Sequence, residues 1–172
     1  YEAWQRRLNC PLTSAAGRVF DAAAALICGV GTVSFEAQGP MLLESLCRRP
    51  GEPVALPLAK DAGGILRSDW QPLIPVMQDE TRDAAWRAES FHSSMARVIL
   101  EQARRIRELE GVYRIGLCGG VFQNRVLTEQ AIALLENDRF DVYLSQQLPC
   151  NDAALSFGQA AEIAARQTGE IV

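Results

Sequence analysis

Two short apolar segments joined by one helical segment limit the fold of this chain more than any other feature. After Gly111 the sequence predicts a strand over 112–118, a helix over 122–137, a second strand over 140–145 and a terminal helix over 152–167. Two strands bridged by one helix form a parallel, right-handed βαβ unit. The pattern therefore predicts an α/β fold in which helices pack against a parallel sheet.

The first 110 residues predict helices instead. Apolar residues recur at helical spacing from Gly17 to Cys28, and glycines follow, as is typical of a helix C-terminus. A second helix is predicted from about Glu36 to about Arg48 because its charged ends suit the helix dipole. Its inner face is predicted to consist of Met41, Leu42 and Leu46.

The longest predicted helix runs from Ala84 to Glu110. Apolar residues recur there at intervals of three and four and are expected to face the core: Phe91, Met95, Val98, Ile99, Ile106 and Leu109. The remaining faces carry Arg104, Arg105 and Arg107. Before this helix, Pro and Gly residues cluster at 50–64 and predict a loop, and Asp69 could cap a short helix that begins near Gln71.

Size and composition favour one globular domain over 1–172, with a helical part over about 1–110 and a βαβα part over about 111–172. The net charge of -4 provides no overall positive field for a nucleic acid. Five scattered cysteines without a C-x-x-C pair argue against a disulfide framework and favour a reducing cytoplasm. No apolar run is long enough to cross a bilayer, and the start at Tyr1 suggests part of a longer protein.

Gly119 and Gly120 directly follow the first predicted strand, and a helix is predicted to start one or two residues later. Backbone amides and a helix dipole can face an anion in such a turn, and adjacent glycines allow a phosphate to approach closely. A tight strand-to-helix turn also needs glycine, so a purely structural role stays open. No Lys-Ser or Lys-Thr follows, which excludes a Walker loop.

Three carboxylates are candidates for ligand contacts. Asp152, at the end of the second strand, could bind a metal, although an N-cap of the following helix is the favoured alternative. Asp21, in an otherwise apolar helix, needs a hydrogen-bond partner, which could be a sugar hydroxyl or Arg18. Glu36 has the same ambiguity as a first-turn carboxylate.

His92 is the only histidine, so we expect a packing or hydrogen-bonding residue rather than a multi-histidine metal site. One histidine without a nucleophile elbow also excludes a hydrolase triad. Cys118 is interpreted as a small buried strand residue rather than a nucleophile.

Five segments together resemble the last lobe of the HypF family of carbamoyltransferases, which act in hydrogenase maturation. In chain order they read GRVFDAAAALICG, SFEAQGPMLLE, FHSSMARVIL, GLCGGVFQNRVL and LPCNDAALSFGQAA. The piece GGVFQNRVL with a later NDxxLxxGQA is also similar to O-carbamoyltransferases of antibiotic biosynthesis and, more distantly, to tRNA threonylcarbamoyl-transfer enzymes. The resemblance implies an actin-like ATPase (ribonuclease H-like) lobe that binds a carbamoyl-adenylate.

The resemblance also assigns residues to the site. Six are implied to contact the nucleotide, at its phosphate or its adenosine sugar: Gly17, Asp21, Glu36, Gly119, Gly120 and Asn124. Asp152 is implied as one ligand of a divalent metal, Zn or Fe, whose other ligands are paired histidines of a first lobe. This chain alone is therefore expected to bind metal weakly and to be inactive.

Implied substrates and partners are ATP, carbamoyl phosphate upstream, and the C-terminal cysteine thiol of a HypE-like acceptor protein, with no nucleic acid and no membrane. The chain departs from the family's NDGG and EAQAAMELE-like patterns at Ala153 and Ala154 and at Gly39 and Pro40. An O-carbamoyltransferase lobe, a non-catalytic nucleotide-binding or assembly module and a sugar kinase lobe remain as alternatives.

Overall fold

The structure, a computed structural model, describes residues 2–169. Tyr1 and residues 170–172, which belong to the predicted single domain over 1–172, lie outside the described residues. In chain order the elements are α1 (Glu2–Gln5), α2 (Ala16–Cys28), α3 (Gln38–Ser45), β1 (Leu58–Lys60), β2 (Leu66–Ser68), α4 (Leu73–Gln78), α5 (Ala84–Glu110), β3 (Arg114–Leu117), α6 (Arg125–Asn137), β4 (Asp141–Leu144) and α7 (Leu155–Thr168). Short 3₁₀ turns span Gly120–Gln123 and Asp152–Ala154.

The predicted parallel pairing of two strands joined by a helix is confirmed, because β3 and β4 pair in parallel from Arg114 with Asp141 to Leu117 with Leu144, with α6 between them. Side chains alternate between the two faces of this sheet, as the pleat requires. One face packs on the core through Ile115, Leu117, Val142 and Leu144. The other face is exposed, so helices cover only one side of the sheet within residues 2–169.

The core forms where α2 lies against α5. Phe20 and Phe91 are buried and meet edge to face, with ring centroids 4.9 Å apart. Ala23 and Ala24 leave room for α3 to approach α2 closely, and a Cβ added to Gly39 would lie 3.0 Å from the Ala24 Cβ. Small residues on both helices thus set the spacing of this packing.

The prediction for α3 is wrong in its bounds and in part of its inner face, although Leu46, just after the helix, does pack against the core as predicted. The helix begins at Gln38, so Glu36 lies in the turn before it. Leu43 is fully buried, whereas Met41 and Leu42 are exposed. The close contact of α3 with α2 sets this rotation, and sequence periodicity over so short a helix does not reveal it.

The bounds predicted for α5 are confirmed. Asp83 caps its N-terminus by accepting a hydrogen bond from the Trp86 amide at 2.7 Å, and Gly111 ends it with φ 68°. The predicted inner face extends too far, because Ile106 and Leu109 are exposed.

The loop after α3 is held by polar side chains that α5 buries. Glu89 accepts from the Arg48 and Arg49 amides, Ser93 from the Gly51 amide and Ser94 from the Val54 amide. The predicted loop over 50–64 is interrupted by β1, which pairs antiparallel with β2. The predicted short helix exists as α4 but begins at Leu73, while Asp69 caps the preceding turn through the Gln71 amide.

The last helix, α7, has no buried residue. Its apolar Leu155, Phe157 and Ile163 are all more than half exposed. Of the helices in the described part of the chain, none has the length and apolar character needed to cross a membrane.

Candidate functional site

The loops that follow the two parallel strands meet each other. The Gly119 amide donates to the Cys150 carbonyl at 2.6 Å, and a Cβ on Gly120 would lie 3.9 Å from the Asn151 Cβ. Carboxyl ends of adjacent parallel strands share one edge of a sheet, where ligands collect. The structure therefore brings together the predicted glycines and the loop that carries Asp152.

Gly119 has φ 110°, a conformation that side chains rarely tolerate, so a structural need for glycine is present at this position. Its amide is occupied by Cys150, contrary to the expectation that both glycine amides are available. The next two amides, of Gly120 and Val121, open a 3₁₀ turn and donate no hydrogen bond to any residue within 2–169. These two amides form the available part of the turn.

The N-terminus of α6 is already occupied by the protein's own groups. Glu44 of α3 accepts from the Arg125 amide at 2.8 Å and from the Val126 amide at 3.3 Å. The anion at this helix end is thus a carboxylate of the protein itself, so the Arg125 and Val126 amides are not available to a phosphate. The sequence offered no signal for this contact, since Glu44 and Arg125 are far apart in the chain.

Asn124 connects the 3₁₀ turn to the interior. Its Oδ1 accepts from the Leu127 amide at 2.8 Å and so caps α6. Its Nδ2 donates to His92 Nε2 at 3.0 Å. Asn124 is only 8% exposed. Its side chain makes hydrogen bonds inside the fold and links the 3₁₀ turn to the core.

His92 is fully buried and hydrogen-bonded, which confirms its predicted structural role. Its Nδ1 lies 2.8 Å from the Ala88 carbonyl, which can only accept, so Nδ1 carries the proton and Nε2 accepts from Asn124. Burial lowers the pKa of His92 below its ordinary value. The imidazole is therefore neutral near neutral pH.

Cys47 lies beside this histidine, with its Sγ 3.3 Å from His92 Nδ1. Burial, together with the nearby carboxylates of Glu89 and Glu44, raises the pKa of the Cys47 thiol to about 12. The thiol stays protonated and is not a nucleophile. Cys118, by contrast, is exposed directly after β3, so its predicted burial is wrong.

The residues implied at the adenosine sugar lie on or near α2, a helix that packs against the 3₁₀ turn. Gly17 faces open space in the first turn of α2. Asp21 is partly exposed and forms an ion pair with Arg18 at 3.0 Å, the internal partner considered from the sequence. Glu36 is exposed in the turn before α3.

Asp152 is exposed in the loop beside the glycine turn. Asn151, not Asp152, caps the following turn, because its Oδ1 accepts from the Ala153 amide at 3.1 Å. The N-cap alternative for Asp152 is therefore wrong. Its carboxylate makes no hydrogen bond to the described part of the chain, and nowhere in residues 2–169 do three metal-ligating side chains come together.

An open apolar groove of about 320 Å³ lies between α5 and the free edge of β3. Its lining includes Ile99, Ile106, Val112 and Ile115. None of the predicted site residues lines it, so it is separate from the glycine turn.

Comparison with known proteins gives a family for this geometry. The family model described as the second subdomain of the Kae1-like domain of carbamoyltransferases matches residues 1–159. Carbamoyltransferase HypF of Synechocystis sp. is 35% identical over 169 residues, which are 96% of this chain and 21% of that protein. A carbamoyltransferase HypF homolog of Cupriavidus necator is 32% identical, over 95% of this chain and 43% of that protein.

Solved structures agree with the sequence comparisons. The crystal structure of full-length HypF in the phosphate- and nucleotide-bound form matches with a TM-score of 0.84 and 31% identity, over 92% of this chain and 21% of that one. HypF of T. kodakarensis has the same fold, with a TM-score of 0.80 at 23% identity over 97% of this chain and 22% of that one.

The relatives of this α/β subdomain are named carbamoyltransferases, so the class of protein to which it belongs is the transferases. The chain belongs to the HypF carbamoyltransferase family, within which it corresponds to the second subdomain of the Kae1-like domain. It spans about a fifth of the length of its Synechocystis relative.

Proposed function

We propose that the chain is the nucleotide-holding lobe of an actin-like carbamoyltransferase. The enzyme transfers carbamoyl from a carbamoyl-adenylate to the C-terminal cysteine thiol of a HypE-like acceptor, in maturation of the [NiFe] hydrogenase. Carbamoyl phosphate and ATP supply the adenylate. The observation that carries this proposal is the pair of free amides, Gly120 and Val121, at the edge where the loops after β3 and β4 meet.

These amides suit the adenylate phosphate for two reasons. Neither amide donates to an acceptor within residues 2–169, so an anion can take their hydrogen bonds without displacing a protein group. Gly120 has no side chain, so a phosphate oxygen can reach the backbone. Nucleotide binding itself, though not its location, is supported by the phosphate- and nucleotide-bound form of full-length HypF, which this chain matches.

The sugar of the adenylate is assigned to α2. This helix packs against the 3₁₀ turn and exposes Gly17 and part of Asp21. Asp21 can accept from ribose hydroxyls through the oxygen that Arg18 leaves free. Glu36 is the second proposed sugar contact. Asn124 is assigned a supporting role, because it ends the 3₁₀ turn whose amides are proposed to bind the phosphate.

Asp152 fits as one metal ligand, because its carboxylate is exposed and unpaired within residues 2–169 and its loop touches the glycine turn. A single carboxylate is too few ligands for a metal site, so the other ligands of the proposed Zn or Fe would come from a first lobe. When bound, such a metal polarises the carbamoyl carbonyl as a Lewis acid.

The transfer itself is a substitution at the carbamoyl carbon. The acceptor thiolate forms a C–S bond, the C–O bond to the adenylate phosphate breaks, and AMP leaves with the electron pair. The contribution of this chain is to hold the leaving phosphate. Two backbone donors, at the start of the 3₁₀ turn, also stabilise the negative charge that grows on this phosphate.

The test compares Gly120→Ala with Gly116→Ala in a full-length polypeptide that carries this chain. Neither added methyl group meets a clash, since the nearest atom is 3.9 Å away at Gly120 and beyond 4 Å at Gly116. Gly120→Ala should weaken ATP binding roughly tenfold by blocking a charge-assisted hydrogen bond, whereas Gly116→Ala should leave it unchanged. Equal affinities in the two variants would refute the phosphate assignment.

An assembly role is favoured by one observation, that α7 has no buried residue. If calorimetry shows no adenine-nucleotide binding but tight binding of another protein, a non-catalytic module becomes the better reading. Loss of carbamoyl to a small hydroxyl compound instead of a thiol would indicate an O-carbamoyltransferase.

A further inference from the structure

The buried pair of His92 and Asn124 is unusual because it joins the middle of the core to the edge of the candidate site. His92 sits on α5 with no exposed surface. Asn124 ends the 3₁₀ turn that carries the free amides. We propose that His92 is a positioning residue: through Asn124 it fixes the backbone that presents the Gly120 and Val121 amides. This inference rests on the proposed nucleotide site.

The contacts around the turn leave Asn124 few alternative positions. The Asn124 amide donates to the Val121 carbonyl at 3.1 Å, and the Phe122 amide donates to the Gly119 carbonyl at 3.1 Å. The Thr128 hydroxyl donates to the Phe122 carbonyl at 2.9 Å. Displacing Asn124 would therefore move the whole turn rather than one side chain.

The hydrogen-bond direction makes the pair specific. Asn124 Oδ1 must accept from the Leu127 amide, so its Nδ2 must face His92. A neutral histidine with its proton on Nδ1 is the matching acceptor. No amide flip can satisfy both partners, because a flipped Nδ2 would face the Leu127 amide.

Protonation of His92 would break this match, since both Nε2 and Asn124 Nδ2 would then be donors. Groups from three helices surround the imidazole. Glu44 on α3 favours the charged form, Glu89 lies on the same helix, and Cys47 stays neutral. Phe20 on α2 packs against the ring without charge. Burial outweighs the Ala88 hydrogen bond and the Glu44 carboxylate, which both favour the charged form, and lowers the pKa of His92.

Two substitutions of His92 each retain one of its two hydrogen bonds, to the Ala88 carbonyl or to Asn124, and remove the other. The amide of Gln occupies the place of Nε2 and can still accept from Asn124, so His92→Gln retains this bond and loses the Ala88 contact. The amide of Asn occupies the place of Nδ1, so His92→Asn retains the Ala88 contact and loses the bond to Asn124. Both remove the ring and its packing, which makes them a matched pair.

The first measurement is ATP affinity of the full-length polypeptide by calorimetry. His92→Asn should bind roughly tenfold more weakly than the unchanged protein, and His92→Gln should stay within about threefold. Equal losses in both variants would overturn the proposal, because they would trace the effect to packing alone.

A second measurement does not depend on nucleotide. Amide hydrogen exchange over residues 119–128 should be faster in His92→Asn than in His92→Gln, and unchanged exchange would also overturn the proposal. If the unchanged protein binds no ATP while exchange responds as expected, the proposed function fails and the positioning role survives.

In the third variant, Asn124→Asp, one carboxylate oxygen can still accept from the Leu127 amide. The other oxygen replaces Nδ2, so an acceptor faces His92 Nε2 instead of a donor. This oxygen now favours a proton on His92 Nε2. ATP affinity of the unchanged protein should fall only when the pH drops through the lowered pKa of His92, which lies below the ordinary 6.5, whereas that of Asn124→Asp should fall less or rise. Identical pH profiles would contradict a role for this hydrogen bond.

Discussion

Among the glycines that the structure describes, Gly51 has the least room for an added methyl group. It lies against the backbone of α5, and its amide donates to the Ser93 hydroxyl at 2.9 Å. An added Cβ would lie 2.4 Å from both the Glu89 carbonyl carbon and the Ser90 nitrogen. Helix backbone cannot move aside as a flexible side chain could, so the loop after α3 depends on glycine here.

Gly51→Ala should therefore destabilise the chain by about 2 kcal/mol, as is typical when a methyl group is forced into a packed site. Denaturant unfolding measures this loss. Gly31→Ala is the control, because nothing lies within 4 Å of its added Cβ. Equal stability of the two variants would show that the loop can shift away from α5 at little cost.

The start of α6 depends on a residue of another helix. Glu44 of α3 accepts from the Arg125 and Val126 amides, while Asn124 accepts from the Leu127 amide. The free amides of the first turn of α6 are thus satisfied by Glu44 and Asn124, and the Glu44 hydrogen bonds connect α3 to α6.

Glu44→Ala should lower the free energy of unfolding by about 1 kcal/mol, the usual effect of losing an N-cap acceptor. Glu44→Gln keeps an acceptor oxygen and should lose less. Thermal unfolding of both variants checks this order. If Gln is as damaging as Ala, charge rather than hydrogen bonding holds the two helices together.

The opposite end of α6 is tied to α5 by charge. Arg104 and Arg107 both donate to Asp138, at 2.9 and 2.7 Å. These guanidinium groups lower the pKa of Asp138 to about 2, with the Arg104 hydrogen bond as the largest cause. Because the folded pKa lies below the ordinary value of 3.8, the stabilisation is full above 3.8 and is lost as the pH falls toward 2.

Asp138→Asn should therefore lower the melting temperature at neutral pH, and the difference from the unchanged chain should shrink below pH 3.8. Asp141→Asn removes an exposed carboxylate nearby and controls for net charge. A difference that stays constant down to pH 2 would show that the carboxylate charge is not responsible.

Elements could be predicted from the sequence where one segment determines its own structure. The bounds of α5 follow from its long periodicity, and the parallel pairing of β3 and β4 follows from the βαβ pattern. The inner face of α3 could not be predicted, because its contact with Ala24 of α2 decides it. The β1–β2 hairpin was missed because each strand has three residues and too little alternation to detect.

The candidate site likewise has features that the sequence predicts and features that depend on contacts between distant segments. Gly119, Gly120 and Asp152 could be placed at one edge because parallel strands end together. The occupied N-terminus of α6 could not be foreseen, since Glu44 reaches it from 81 residues away. The largely polar segment from Glu89 to Ser94, at helical positions that face the core, is a sequence signal of buried polar contacts.

At the scale of the whole molecule, apolar residues remain exposed. α7 exposes Leu155, Phe157 and Ile163, and Tyr143 stands on the open face of the sheet. If the chain acts within a polypeptide of the relatives' length, some of these side chains should be covered there. Carbene footprinting should label Phe157 and Tyr143 less in the full-length polypeptide than in this chain alone. Equal labelling would favour an independently acting module.

The central claim, that the strand ends form an adenylate-binding edge, is tested most directly by NMR. A ¹⁵N-labelled sample of the polypeptide that carries this chain is titrated with ATP. The account predicts the largest amide shifts at Gly120 and Val121, with smaller shifts at Asp152 and near Gly17. Saturable shifts confined to other parts of the chain, with Gly120 and Val121 unmoved, would contradict it.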